Sequence, residues 1–259
     1  MDAILHHPCH VSCPQWTMIP GLLHGTTTRT ALPALGRTPV FDRLRDLHRQ
    51  NLLPKLPTYA GDQVHEDRLV VVGNGDPRTL EGTTVPAVHD AGLDATEFAR
   101  TDALMTGECG RLLCIRTADC EPVFLIDPAR RLAGVAHCGW RGIRAGLAAR
   151  LVSAFVAHGS RPQDLQAWLG PCITAPNYEV GKSLVAEFSA AFPGAPVSPD
   201  GIRLDLFAIT RWQLEQTGMK TDRIFISGAC TYSDPERFHS YRRDGDQAGR
   251  LLSYIAWMA

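Results

Sequence analysis

Three side chains far apart along the chain, His65, Cys120 and His137, bring together one thiol and two imidazoles. That donor set suits zinc, and three protein ligands leave a fourth position for water, as in catalytic rather than structural sites. A metal so held lowers the pKa of its bound water and supplies a hydroxide nucleophile or a Lewis acid. Spacing alone leaves a second reading open, in which the same residues are a buried thiol and two satisfied histidines. Gly139-Trp140-Arg141-Gly142, at the expected start of a helix, offers free N–H groups and a guanidinium to phosphate, or simply a tight strand-to-helix turn. Arg242-Arg243 and Arg29 are further candidates for an anion clamp, with a solvated face as the alternative. Near the N-terminus, His6, His7, Cys9, His10 and Cys13 either bind a soft metal or belong to a frayed end.

The elements that must position these groups are legible as apolar runs. Runs at 112–115, 123–126 and 132–136 are separated by Thr117-Ala118-Asp119-Cys120 and by the Asp127-Pro128 turn, and read as strands. Cys120 then ends one strand, and His137 lies where another passes into a helix. On that helix Ile143, Leu147, Leu151 and Phe155 share one face, and Gly159 is the stop. Helices are also expected at 40–53, 95–100 and 182–192, and after Asp205, a good N-cap, with Gly218 closing the last. Further strands are expected at 69–72, 165–169, 224–226 and 251–257, with a polar loop over 73–86. Neither a repeat nor a low-complexity linker divides the chain. One intertwined domain over 21–259 is expected, after a poorly ordered N-terminal extension at 1–20.

A chain of 259 residues can bury a substantial core. With 26 basic against 27 acidic residues the formal net charge is −1, so no bulk field favours nucleic acid or an anionic membrane. No apolar run approaches the ~20 residues that span a bilayer. The N-terminus lacks a basic stretch followed by an apolar one, so no secretory signal is expected. The eight scattered cysteines then read as reduced thiols in a cytoplasmic protein.

Several blocks resemble, in order, the signatures of one family. They are His24-Gly25-Thr26-Thr27-Thr28-Arg29, Gln63-Val64-His65, Asp102-Ala103-Leu104-Met105-Thr106 and Thr117-Ala118-Asp119-Cys120-Glu121-Pro122-Val123. Ala136-His137-Cys138-Gly139-Trp140-Arg141-Gly142, Gly170-Pro171-Cys172-Ile173 with Tyr178-Glu179-Val180-Gly181, and Phe238-His239-Ser240-Tyr241-Arg242-Arg243-Asp244 follow. The family is the laccase-domain or polyphenol oxidase (YfiH-like) family, whose members are described as cytosolic purine nucleoside phosphorylases. The resemblance implies an α+β fold, with mixed β-sheets packed as a sandwich flanked by helices. It places the zinc ligands on His65, Cys120 and His137, and it implies phosphorolysis of adenosine, inosine, guanosine and methylthioadenosine with deamination of adenosine alongside. Three positions depart from the family pattern: Glu66 replaces a glycine, Cys138 replaces an alanine, and the double-glycine and asparagine pattern after Arg29 is missing.

Joined, the two readings give a one-zinc enzyme, accepting copper in vitro, that acts on a purine nucleoside and phosphate as a monomer or homodimer. Phosphate would lie against Arg29, Arg141, Arg242 and Arg243. Asp119, beside the ligand Cys120, is the candidate proton shuttle, with a capping role as its alternative. Other readings stay open. Cys120 and His137 could serve a cysteine-dependent hydrolase, which would fit the link of related bacterial proteins to correction of peptidoglycan precursors. A single copper could give slow phenol oxidation, although no His-x-His pair supports a multicopper array. A non-enzymatic, metal-stabilised interaction module would instead unfold when stripped of metal.

Overall fold

Along Glu121–Asp127 every residue is buried, so this strand lies inside the protein with both faces covered. Its period of two sends Val123 and Leu125 into one core and Phe124 and Ile126 into another. The computed structural model, which describes residues 8–32, 39–73 and 77–259, shows what lies on each side. Among these residues the strands form two seven-stranded mixed sheets. The first runs, in spatial order, His10–Val11, Leu22–Thr27, Leu251–Trp257, Leu112–Thr117, Thr58–Gly61, Ala95–Phe98 and Ala87–Asp90. The second runs Ile224–Ile226, Gln166–Leu169, Glu121–Asp127, Leu132–Cys138, Ala103–Thr106, Leu69–Val72 and Arg78–Thr79.

Phe124, Ile126, Val135 and Trp168 of the second sheet pack on Leu22, Leu113, Ile115 and Ile255 of the first. Outside the second sheet, Val123, Leu125 and Ala136 meet Ile143, Leu147, Leu151 and Phe155, together with Leu206 and Ile209 of the Leu206–Gln216 helix. Outside the first, Leu23, Cys114 and Tyr254 meet Val40, Leu44 and Leu47 of the Val40–Arg49 helix. The architecture is therefore the expected α+β sandwich flanked by helices. None of the described helices is long and apolar enough to cross a membrane.

Local expectations hold where one physical signal dominates. Asp205 caps its helix by accepting from the Ala208 N–H at 3.0 Å. The Ile143–Phe155 face is buried as anticipated, but it is carried by two helices, Trp140–Arg144 and Leu147–Ala157. Gly146, at φ 77°, makes the break between them, a backbone state that glycine adopts without steric cost. The expected helix at 95–100 is instead the strand Ala95–Phe98, paired in parallel with Thr58–Gly61, because cross-strand burial of Ala95 and Phe98 outweighs local propensity.

The N-terminal expectation needs correction from residue 8 onward. His10–Val11 pairs with Thr26 and Thr27, and Trp16 is fully buried, its indole N–H donating to Gln166 Oε1 at 2.9 Å. His10 Nδ1 is engaged with the Tyr254 hydroxyl at 3.1 Å, so its role is packing. His6 and His7 lie outside the described residues. Trp16→Ala should therefore destabilise the whole sandwich by about 3–5 kcal/mol, read as a lower urea midpoint. An unchanged midpoint would place residues 8–20 outside the cooperative unit.

Candidate metal centre

Three segments leave the first sheet and enter the second, and all three build the site. Residues 62–68 join Thr58–Gly61 to Leu69–Val72, residues 99–102 join Ala95–Phe98 to Ala103–Thr106, and residues 118–120 join Leu112–Thr117 to Glu121–Asp127. The segments pack tightly: a Cβ on Gly61 would lie 2.0 Å from the Thr101 carbonyl oxygen. His65 comes from the first crossing and Cys120 from the third. His137 comes from Leu132–Cys138, where it lies opposite Pro122 in the ladder.

The second crossing supplies Asp102, for which nothing in the sequence beyond its place in Asp102-Ala103-Leu104-Met105-Thr106 signals a role. Its side chain is fully buried, and both carboxylate oxygens are used. Oδ1 accepts from His137 Nδ1 at 2.8 Å and from the His65 backbone N–H at 3.1 Å. Oδ2 accepts from the N–H groups of Val64 at 3.2 Å and Glu66 at 3.0 Å. Burial pushes this carboxyl up, but His137 and the backbone donors outweigh it and hold the group below its usual range. The carboxylate can only accept, so His137 keeps a proton on Nδ1 in either charge state, and Nε2 is the nitrogen that faces Cys120 or a metal. By accepting from these three N–H groups Asp102 holds His65 at φ 64°, a left-handed state uncommon outside glycine.

Ligand atoms of His65, Cys120 and His137 all lie within 4.8 Å of one another. The two imidazole rings are 4.8 Å apart between centroids and inclined at 72°. Gly139 is part of this geometry: a Cβ there would sit 2.8 Å from Cys120 Sγ and 3.2 Å from His65 Cδ2. Burial alone would raise the Cys120 pKa, yet His137 and His65 bring it down to about 6. For His137 burial acts downward, while Cys120 and Asp102 raise it to about 9. Without a metal the pair is thus thiolate and imidazolium at neutral pH. A divalent ion held by His65, Cys120 and His137 would take the place of that proton, and one thiolate with two imidazoles suits a zinc-like ion.

Asp119 and Arg242 adjoin the cluster. Asp119, at φ 87°, accepts from Thr231 Oγ1 at 2.6 Å and from the Arg242 N–H at 2.6 Å, and its carbonyl accepts from the Ile173 N–H at 3.0 Å. Arg242 stacks over the Tyr178 ring and spends one guanidinium donor on the Glu179 carbonyl, at 2.7 Å. The other expected arginines are placed differently. Arg243 directs its guanidinium at the carbonyls of Thr231, Tyr232 and Phe238 and at the Asp244 carboxylate, which together occupy all five of its donors. Arg29 donates to the Pro235 carbonyl at 3.1 Å. Arg141 is exposed and stacks 4.2 Å from the centroid of the Trp140 ring. The helix it opens is only five residues long, so the phosphate cradle expected there has little dipole behind it.

A family model described as multi-copper polyphenol oxidoreductase laccase matches residues 38–258. The chain is 33% identical to a purine nucleoside phosphorylase of Xylella fastidiosa (strain 9a5c), over 97% of this chain and 98% of that one. It is 30% identical to the purine nucleoside phosphorylase YfiH of Escherichia coli (strain K12), over 95% and 97%. Among solved structures it is similar to the hypothetical protein YfiH of Bacillus licheniformis, with TM-score 0.78 and 25% identity over 97% of each chain. YlmD from Geobacillus stearothermophilus follows, with TM-score 0.74 and 26% identity over 93% of each.

Two outcomes follow from this geometry. Asp102→Asn removes the anionic acceptor behind His137 and should weaken metal binding roughly 10–100-fold in a chelator competition, while leaving the fold intact by circular dichroism. In the metal-stripped protein, alkylation of Cys120 should titrate with a midpoint near pH 6, falling as pH drops through it. A midpoint near the ~8.5 of a free thiol would remove the ion pair.

Proposed function

The chain belongs to the multi-copper polyphenol oxidoreductase laccase family, and on that premise we propose that it is a zinc-dependent purine nucleoside phosphorylase. Its substrates in this reading are adenosine, inosine, guanosine and methylthioadenosine, with hydrolytic deamination of adenosine as a second activity. The observation that carries the reading is the three-donor cluster of His65, Cys120 and His137, supported by relatives named purine nucleoside phosphorylase. Three donors support a one-ion centre rather than a multicopper array.

Held by these residues, zinc supplies a Lewis acid and draws the pKa of coordinated water towards neutrality. The chain's own side chains bind and orient. The guanidinium of Arg242, apart from its bond to Glu179, and that of Arg29 are assigned to phosphate, whose charge they offset and whose attacking oxygen they aim at the ribose anomeric carbon. Asp119 has both oxygens committed to Thr231 and Arg242, so it is assigned to holding Arg242 and Cys120 in place rather than to moving protons. Arg243 is assigned to bracing the same loop. Tyr178, under Arg242, offers a flat apolar face beside the cluster.

A second reading rests on one specific observation. Without metal, Cys120, His137 and Asp102 are hydrogen-bonded in series, the order of nucleophile, base and orienting acid. That arrangement would suit a cysteine hydrolase of peptidoglycan precursors. Copper binds such donors more tightly than zinc, so slow phenol oxidation is expected when copper is supplied.

Metal-loaded protein incubated with adenosine and phosphate should release adenine and inosine, and Cys120→Ala should lose both products together with the metal. Release of neither product sinks the phosphorylase reading, and a covalent acyl adduct on Cys120 would replace it with the hydrolase. Arg242→Ala should lower kcat/KM for phosphate roughly tenfold or more, in line with the ~1.5–3 kcal/mol of a charged hydrogen bond. Arg243→Ala should instead lower thermal stability, read by calorimetry.

A further inference from the structure

Beside the metal centre two cysteines oppose each other. Cys172 and Cys230 are partners in an isolated parallel β-bridge, with the Cys172 N–H donating to Ala229 O at 3.3 Å and the Thr231 N–H to Cys172 O at 3.0 Å. Residues opposed in this way lie on backbones about 4.8 Å apart and project to one face. That spacing falls within the roughly 4.4–6.8 Å between Cα atoms that a disulfide spans. Both side chains are free thiols, Cys172 buried and Cys230 half-buried.

Their surroundings differ in kind. Cys230 Sγ accepts from the Thr174 N–H at 3.5 Å and from Asn177 Nδ2 at 3.4 Å. Burial acts to raise its pKa, but Ser233 and Thr174 bring it down to about 7. Cys172 Sγ instead donates to the Ile173 carbonyl at 3.4 Å, and burial holds its thiol well above the ordinary range. A half-buried sulfur whose thiolate is favoured by N–H donors, opposite a protonated partner, is the pattern of a thiol that is oxidised first and resolved second.

We propose that Cys230 and Cys172 form an oxidisable dithiol, a modification site for hydroperoxides whose state is transmitted to the neighbouring metal centre. The Cys230 thiolate attacks the peroxide: an S–O bond forms, the O–O bond breaks, and the leaving oxygen takes a proton as water or alcohol. Cys172 then gives up its proton and attacks the resulting sulfenic acid. The S–S bond forms, the S–O bond breaks, and water leaves. Two electrons pass from the pair of thiols to the peroxide. Transmission runs through the residue after each cysteine, since Ile173 N–H and Thr231 Oγ1 both donate to Asp119, the neighbour of Cys120. Turning Cys230 Sγ towards Cys172 takes it off the Thr174 N–H and Asn177 Nδ2 and re-orients the two loops that carry both donors. This coupling rests on the metal reading above; the disulfide itself does not.

The test treats metal-loaded protein with hydrogen peroxide and maps its peptides without reduction. A linked pair containing Cys172 and Cys230 is expected, lighter by two hydrogens than the separate peptides and restored by dithiothreitol. In Cys172→Ser the sulfenic acid should persist and be trapped by a carbon-acid probe, and in Cys230→Ser neither product should form. Peroxide that leaves Cys230 reduced, or links it to any other cysteine, overturns the dithiol whatever the enzyme's substrate. Metal retention on dialysis should fall several-fold in the oxidised protein and recover on reduction; a disulfide that leaves retention unchanged overturns the coupling alone.

Discussion

The Asp102 carboxylate accepts from an imidazole and from three successive backbone N–H groups, and the ligand geometry follows from that single charge. The imidazole belongs to His137 on a strand of the second sheet, and the N–H groups belong to the crossing that carries His65. Two ligands from separate parts of the chain are thereby referred to one buried anion. Such a carboxylate is costly to desolvate unless every lone pair is met, and here each oxygen accepts twice. The arrangement also fixes the His137 tautomer, which decides the nitrogen left for a metal.

Around that anion the sandwich supplies close quarters. Crossing segments from one sheet to the other lie side by side, and glycine is required where they touch: Gly61 against the Thr101 carbonyl, Gly139 against Cys120 and His65. Asp119 is held in a left-handed conformation by three hydrogen bonds, from Ile173, Thr231 and Arg242, on two other loops and the short helix Tyr241–Asp244. Strain of this kind persists only where surroundings over-determine it, and its consequence is that the Cys120 sulfur is aimed. The flanking helices do none of this directly. Through Ile143, Leu147, Leu151 and Phe155 they bury the outer face of the sheet from which His137 projects.

The family name and the names of the relatives pull in different directions, one towards copper oxidation and the other towards phosphorolysis. Donor chemistry is compatible with both names, since a thiolate with two imidazoles suits either ion.

Strand runs at 112–115, 123–126 and 132–136 and the buried helical face were legible in the sequence, because burial on both sides writes continuous apolar stretches and a steady period. That His65, Cys120 and His137 belong together was legible by residue type and by family blocks. What only the tertiary structure decided is which polar residues those elements bring together. Asp102 is one acidic residue among many in the sequence, and its role exists only because three crossings meet at one seam. Arg242 and Arg243 are adjacent and chemically identical, yet the fold saturates one guanidinium and leaves most of the other available. The segment 95–98 became a strand, and Cys13 and Trp16 joined the core, for the same reason: partners distant in sequence supplied the burial that local propensity could not foresee.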